Sequence, residues 1–339
     1  MTGLSVGQIG VGYWGPNLLR NLVTNPRVTV AAVADRDSGR RDYVSGRFPQ
    51  LTIHDTDDAV IEDPSIEAVV IATPGGTHFE LARRALQAGK HVLVEKPMAE
   101  RVAEVEELGR IAADSGLVAM VGHTFLYNPA VEYLKQLVDS GELGEIRYIY
   151  GLRVNLGRIR SDVDALWNFA PHDVSIVQYL LGNIAPVRVT RQGMDFVQPG
   201  IDDVVFLHIE YPDKVMAHIH VSWLDPHKVR RMTVVGSAKM VVYDELAENK
   251  LEIFDKGIDR HAVLGRAMDY DAGALSAFRY RSGDVVMPAL SSTEPLAAEI
   301  DHWIDCILEG TPCRTGPEHA ALVVRVLEEA DTIQGSTDE

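Results

Sequence analysis

The first 121 residues read as short apolar runs separated by amphipathic or polar stretches. Val6–Ile9, Val28–Ala34, Ala68–Ala72, His91–Glu95 and Val118–Val121 are too short for helices and are bounded by turn residues, as strands buried on both faces of a parallel sheet are. Two clear helices lie between the later runs. Thr77–Ala88 places Leu81, Ala82, Ala85 and Leu86 on one face and ends at Gly89; Arg101–Ala113 carries Val102, Val105, Leu108 and Ile111 and stops near Gly116. Thr77, with Glu80 three residues on, reads as a capping box. Repeated strand–helix units with right-handed crossovers predict a doubly wound sheet.

After Gly122 the pattern changes. Pro129–Ser140 is an amphipathic helix and Ile146–Arg153 a strand. A polar loop from Asn155 to Asp164 precedes a helix expected over about Pro171–Leu181, with the proline in its first turn. Strand-like runs follow at 187–191, 203–210, 215–222, 228–235 and 239–243, joined by short turns such as Tyr211-Pro212-Asp213-Lys214, which indicates a largely antiparallel sheet. Asp255–Met287 has little periodicity and reads as an irregular excursion, and helices at 294–308 and 317–332 close the chain. The fold class is therefore α/β. A doubly wound parallel sheet over residues 1–122 is followed by an α+β domain over 123–339, with an open sheet for substrate binding and oligomerisation and the two closing helices.

A chain of 339 residues is long enough for two domains, each with a full core. Its net charge of −17 argues against nucleic acid or an anionic membrane as partner, and no apolar run approaches the roughly 20 residues of a membrane span. Cys306 and Cys313 form neither a zinc pattern nor a disulfide framework, and no leader-like segment opens the chain, so a cytoplasmic protein is expected. His218 and His220 share a strand face, but no third ligand accompanies them, and no metal is expected there.

The chemistry starts at Gly10-Val11-Gly12-Tyr13-Trp14-Gly15, placed between the first strand and a helix opened by Pro16. Gly10 suits the tight turn, Gly12 lets backbone approach a pyrophosphate, and Gly15 permits close helix–strand packing, with Tyr13 and Trp14 on the same loop. Asp35 ends the second strand, where a carboxylate grips a ribose diol. It favours NAD and repels the 2′-phosphate of NADP, while Arg36 pulls towards NADP unless its acidic neighbours neutralise it. Thr73, Pro74 and His78 follow the next central strand and are candidates to line the cofactor, although a histidine at a helix start is also a common surface residue. Glu95 and Lys96 end the His91–Glu95 strand at the same crevice. From there an ammonium can hydrogen-bond a substrate hydroxyl, stabilise a developing alkoxide or relay a proton.

Three features together, G-x-G-Y-W-G, Ala72-Thr73-Pro74…Thr77-His78 and Gly89-Lys90-His91-Val92-Leu93-Val94-Glu95-Lys96-Pro97, resemble the glucose–fructose oxidoreductase/inositol dehydrogenase family over nearly the whole chain. The resemblance implies a nicotinamide-dependent sugar or cyclitol oxidoreductase. It also implies that Lys96 contacts the reacting hydroxyl, with Pro97 often cis. The family's D-x-x-x-H element aligns with Asn168 to His172, making His172 the candidate base. Asn168 departs from the acid, and an amide orients an imidazole without stabilising imidazolium by charge. Asp173 is the alternative source of that charge.

Tyr127 at the domain junction, and Arg153, Asn155 and Arg158 before the catalytic helix, are candidate substrate contacts. The arginines, with Arg160, either clamp an anionic group such as a diphosphate or pair with Asp162 and Asp164 as a solvated loop. The expected function is NAD-dependent hydride transfer at a ring secondary alcohol or ketone of a sugar, nucleotide-linked, by a homo-oligomer. The alternatives are a cyclitol dehydrogenase, an NAD-dependent glycoside hydrolase, and a cofactor-binding sensor that has lost catalysis.

Overall fold

The computed structural model describes residues 3–260 and 278–334. They form two compact units, Met1–Asn128 with Ser292–Thr332, and Pro129–Ser291. In the first unit, strands β1 (Leu4–Ile9), β2 (Val28–Ala34), β3 (Thr52–His54), β4 (Ala68–Ile71), β5 (His91–Glu95) and β6 (Ala119–Gly122) form one parallel sheet in the order β3-β2-β1-β4-β5-β6. Helices α1 (Gly15–Thr24), α2 (Ser38–Arg47), α3 (Asp58–Ile61), α4 (His78–Gln87) and α5 (Val102–Ser115) connect the strands. The order reverses between β1 and β4, so the loops after these two strands open the crevice where such sheets take ligands. Strand residues Val6, Val33, Val69–Ile71, Val92–Val94 and Val121 are fully sequestered, which explains their unbroken apolar runs. Gly89 and Gly116 take the left-handed backbone that ends α4 and α5.

Helices α8 (Pro295–Leu308) and α9 (Pro317–Gln334) belong to this first unit, not to the second domain where the sequence order put them. Leu296, Ile300, Trp303 and Ile304 of α8 are buried, and Arg20 and Arg27 pair with Glu294, Asp301 and Asp305 along the same helix. Exposed pairs of this kind contribute little, so the apolar face holds α8 in place.

The second unit holds α6 (Pro129–Asp139), β7 (Ile146–Val154), α7 (Ala165–Leu180), β8 (Arg188–Met194), β9 (Val204–Glu210), β10 (Met216–Ser222), β11 (Val229–Gly236), β12 (Met240–Asp244), β13 (Leu251–Arg260) and β14 (Phe278–Val286). Its eight-stranded sheet runs β14-β13-β12-β11-β7-β10-β9-β8, antiparallel except for the β7–β10 pair. The supposed excursion begins and ends in strands: β13 and β14 pair antiparallel, and residues 261–277, which make up the rest of it, lie outside the described residues. Alternation was hidden there by charged residues on both faces of an edge pair. Helix α7 starts at Ala165, six residues before the expected Pro171, because Asp164 caps it by accepting the Trp167 N–H at 2.9 Å. Pro171 is accommodated inside the helix. One sheet face packs against α7. The other exposes Tyr148, Tyr150, Phe206 and Met216 with His208, His218 and His220 among them, and His218 lies flat on Tyr150 and His220 on Phe206.

Candidate active site

The glycine turn after β1 has the geometry its sequence demanded. Gly10 has φ of +92°, and a Cβ there would meet the Ala72 carbonyl oxygen at 2.5 Å; at Gly15 it would meet the Gly10 carbonyl oxygen at 2.6 Å. Gly12 faces open space, a cradle free of side-chain atoms at the head of α1. No acidic residue occupies the first turn of α1, so its positive end is not offset locally. Tyr13 is almost wholly exposed. Asp35 accepts the Val11 N–H through one oxygen at 2.7 Å and the Asp37 N–H through the other at 2.9 Å. Each oxygen keeps a further lone pair for a ribose hydroxyl. These residues fit a dinucleotide.

Arg36 is not poised for a phosphate. Its guanidinium pairs with Asp57 at 3.0 Å, and Arg84 shares the same carboxylate. Gln8, which the sequence reading passed over, braces the glycine turn by donating its amide to the carbonyls of both Gly10 and Gly15 at 2.9 Å. Its signal was a lone amide in an otherwise apolar buried strand.

At the end of β4 the expected capping box is absent. The Thr77 hydroxyl bonds Thr73 and the Pro74 carbonyl, and Glu80 pairs with Arg83 instead. His78 is not a surface residue. It is buried, with Nδ1 2.7 Å from the Pro97 carbonyl oxygen and Nε2 2.8 Å from that of Thr73. It therefore braces the loop after β4 against the loop after β5, rather than facing a cofactor. Burial lowers its pKa, against the pull of two carbonyls that both favour an N–H.

Lys96 follows β5 directly, and the Lys96–Pro97 peptide is cis, as the family resemblance implies. The Glu95 carboxyl turns inward: its Oε1 is buried, and a Cβ at Gly122 would approach that oxygen to 3.2 Å. Burial raises the Glu95 pKa to about 7, although the Lys96 ammonium and a hydrogen bond from the Trp14 side chain lower it. Glu299 of α8, held by the Thr124 hydroxyl at 2.9 Å, is raised well above the usual carboxylate range by burial and by Glu95. In Gly89-Lys90-His91, the Lys90 ammonium is buried and donates to the carbonyls of Asp63 and Ile66, and His91 Nδ1 accepts the Val118 N–H. This stretch is structural cement for the neighbouring strands.

The second unit corrects several expectations. Arg153 is buried and forms a short ion pair with Asp173, with Glu245 at 3.3 Å. Burial alone would lower the Arg153 pKa; the two carboxylates hold it raised. Arg153 is thus no clamp for an anion, and Asp173 is committed to Arg153 rather than to His172. Arg160 pairs with Asp162 as in the solvated-loop reading, whereas Asp164 pairs with Arg191 of β8, outside that loop; Arg158 is exposed. Asn155 accepts from Arg230 at 2.9 Å, and that guanidinium lies 5.0 Å over the Phe169 ring. Asn168 and His172, four residues apart and both half-buried, share one face of α7. Tyr127, in the first unit, is a core residue: it is buried, its hydroxyl lies 3.0 Å from that of Thr315, and burial raises its pKa well above normal.

A glycine cradle at a helix head, a carboxylate closing β2 and a lysine closing β5, on a doubly wound parallel sheet, define a dinucleotide-dependent oxidoreductase. Residues 4–123 match an oxidoreductase family with an NAD-binding Rossmann fold, and residues 131–242 match the GFO/IDH/MocA C-terminal domain. The scyllo-inositol 2-dehydrogenase (NAD(+)) of Bacillus subtilis is 30% identical across 91% of this chain and 87% of its own. A crystal structure of UDP-N-acetylglucosamine 3-dehydrogenase from Acidithiobacillus ferrooxidans aligns with a TM-score of 0.79 at 25% identity, covering 98% of each chain. A gentamicin A biosynthesis protein solved with NAD has the same fold, with a TM-score of 0.80 at 24% identity over 98% of this chain and 95% of its own. The chain belongs to the glucose–fructose oxidoreductase/inositol dehydrogenase family, and its cofactor is NAD. Among the described residues no helix is long and apolar enough to cross a membrane.

Proposed function

We propose that this protein transfers a hydride between NAD and a ring secondary alcohol or ketone of a nucleotide-linked sugar. The whole-length likeness to a UDP-N-acetylglucosamine 3-dehydrogenase carries the choice of substrate class. Bound NAD supplies the hydride acceptor or donor at nicotinamide C4. The backbone N–H groups around Gly12 hold the pyrophosphate and Asp35 the ribose diol, with Thr73 and Pro74 beside them. Lys96 hydrogen-bonds the reacting oxygen and stabilises negative charge as the hydroxyl proton leaves. His172 takes that proton, or returns it in reduction, and Asn168 orients its ring from one turn away. Arg158 is the arginine of its loop assigned to the sugar's anionic portion.

The exposed aromatic and histidine face of the second sheet is assigned to contact with a second copy, which makes the enzyme a homo-oligomer. Two cysteines outside any disulfide framework fit a cytoplasmic location. A free cyclitol dehydrogenase is the second reading, favoured by the 30% identity to the inositol enzyme. The deciding experiment is NADH production across a panel of UDP- and TDP-sugars and inositols, after mass spectrometry of ligands that co-purify. Turnover of inositols with none of the nucleotide sugars overturns the first reading in favour of the second.

A further inference from the structure

Helix α8 places His302 and Cys306 four residues apart, hence on one face, and Gly310, with φ of +69°, turns the chain back beyond its end. The returning loop brings Cys313 to the same place, so that the His302 nitrogen and the two sulfurs all lie within 4.8 Å of one another. The Cys306 sulfur and His302 Nε2 are 3.5 Å apart. Two ligands at zinc–sulfur and zinc–nitrogen lengths of about 2.3 and 2.0–2.1 Å, set at a tetrahedral angle, stand about 3.5 Å apart.

The tautomer is also set. The backbone N–H of Arg314 donates to Nε2 at 3.0 Å, so that nitrogen holds its lone pair and the ring is in a form a metal can use. The loop that carries Cys313 is anchored independently. Thr315 accepts the Val121 N–H at 2.9 Å and bonds the Tyr127 hydroxyl, while Arg314 donates to the Leu126 carbonyl at 2.8 Å.

We propose that His302, Cys306 and Cys313 form a binding site for a zinc-class divalent ion, with a water in the fourth position. Two thiolates and an imidazole are the donor set that selects such ions over magnesium or calcium. On binding, the ion takes the Nε2 lone pair in place of the Arg314 N–H, the two thiol protons leave to solvent, and the 309–316 turn is stapled to α8. The site is separate from the hydride chemistry and stands or falls independently of it.

The test uses full-length protein, stripped of metal and reduced, with both of its thiols counted before each titration. Zinc is titrated against a chromophoric chelator, and cobalt(II) is added in parallel as a spectroscopic substitute. One equivalent should bind, with thiolate-to-cobalt charge-transfer absorption and the intense visible bands of a tetrahedral centre. Cys313→Ser, in the half-buried loop, should weaken zinc by roughly a hundredfold or more, and His302→Asn should weaken it as well. Zinc should also raise the melting temperature of the wild type but not of Cys313→Ser. Reduced wild type that binds zinc no better than Cys306→Ser/Cys313→Ser, or cobalt that binds without a sulfur charge-transfer band, overturns the proposal. Should Cys306→Ser unfold, Cys313→Ser alone decides the comparison.

Discussion

Replacing Asp173 by Asn tests which partner its carboxylate serves. Both side chains of the Arg153–Asp173 pair are almost inaccessible, at 4% and 3% exposed. Removing one partner of a buried pair leaves the other charge stranded, at a cost of about 3–5 kcal/mol. Glu245 stays near the guanidinium at 3.3 Å and is itself only 24% exposed, which places the expected cost near the lower end, about 3 kcal/mol. For a unit of this size, each kcal/mol lowers the midpoint by about 2–4 °C, so calorimetry should show a fall on the order of 6–12 °C. Arg153→Met combined with Asp173→Leu should recover most of that loss, since apolar replacement of both partners removes the stranded charge. The pH–rate profile of Asp173→Asn, measured well below its melting point, should keep the wild-type position. A midpoint lowered by less than 2 °C, together with a displaced pH–rate profile, would refute the assignment and return the carboxylate to His172.

Asp35→Ser should narrow the preference for NAD over NADP, because Arg36 is held by Asp57 and the carboxylate is the main discriminator; calorimetric titration of both cofactors reads it. Lys96→Ala and His172→Ala should each lower kcat by on the order of a hundredfold or more, with NAD affinity little changed. Asn168→Asp should move the pH–rate profile upward, because a carboxylate one turn from His172 favours the imidazolium, and an unmoved profile removes Asn168 from the orienting role. Glu95 sets a pH dependence of stability. Between the ordinary carboxylate value and about 7 the folded chain keeps a proton that the unfolded chain has lost, so this group's contribution falls as pH rises through that window. Glu95→Gln should flatten that part of the melting-temperature profile, and a slope equal to wild type would contradict the buried carboxyl.

Most strands of both sheets were legible because burial on two faces, or on one, writes itself as a continuous or alternating apolar pattern, and the glycine turn because its backbone admits no side chain at Gly10 and Gly15. Lys96 stood out by its position at the end of β5, and His172 through the family resemblance. What the sequence did not decide were the partners of charged and polar groups separated along the chain. Asp173 lies next to His172 in sequence, yet helical geometry turns adjacent residues about 100° apart, and its carboxylate meets Arg153 on β7. His78 and Gln8 gained their bracing roles from loops 19 and 7 residues away. The short β3 and the charged pair β13 and β14 carried too little apolar contrast to be read. The assignment of α8 and α9 to the first unit was invisible because an amphipathic face specifies that it must be covered, not by what. The same limit hid the His302, Cys306 and Cys313 cluster, whose third member arrives only when the chain turns back at Gly310 and the loop is held against β6. Local pattern fixes elements and turns; which side chains meet is decided by packing across long separations.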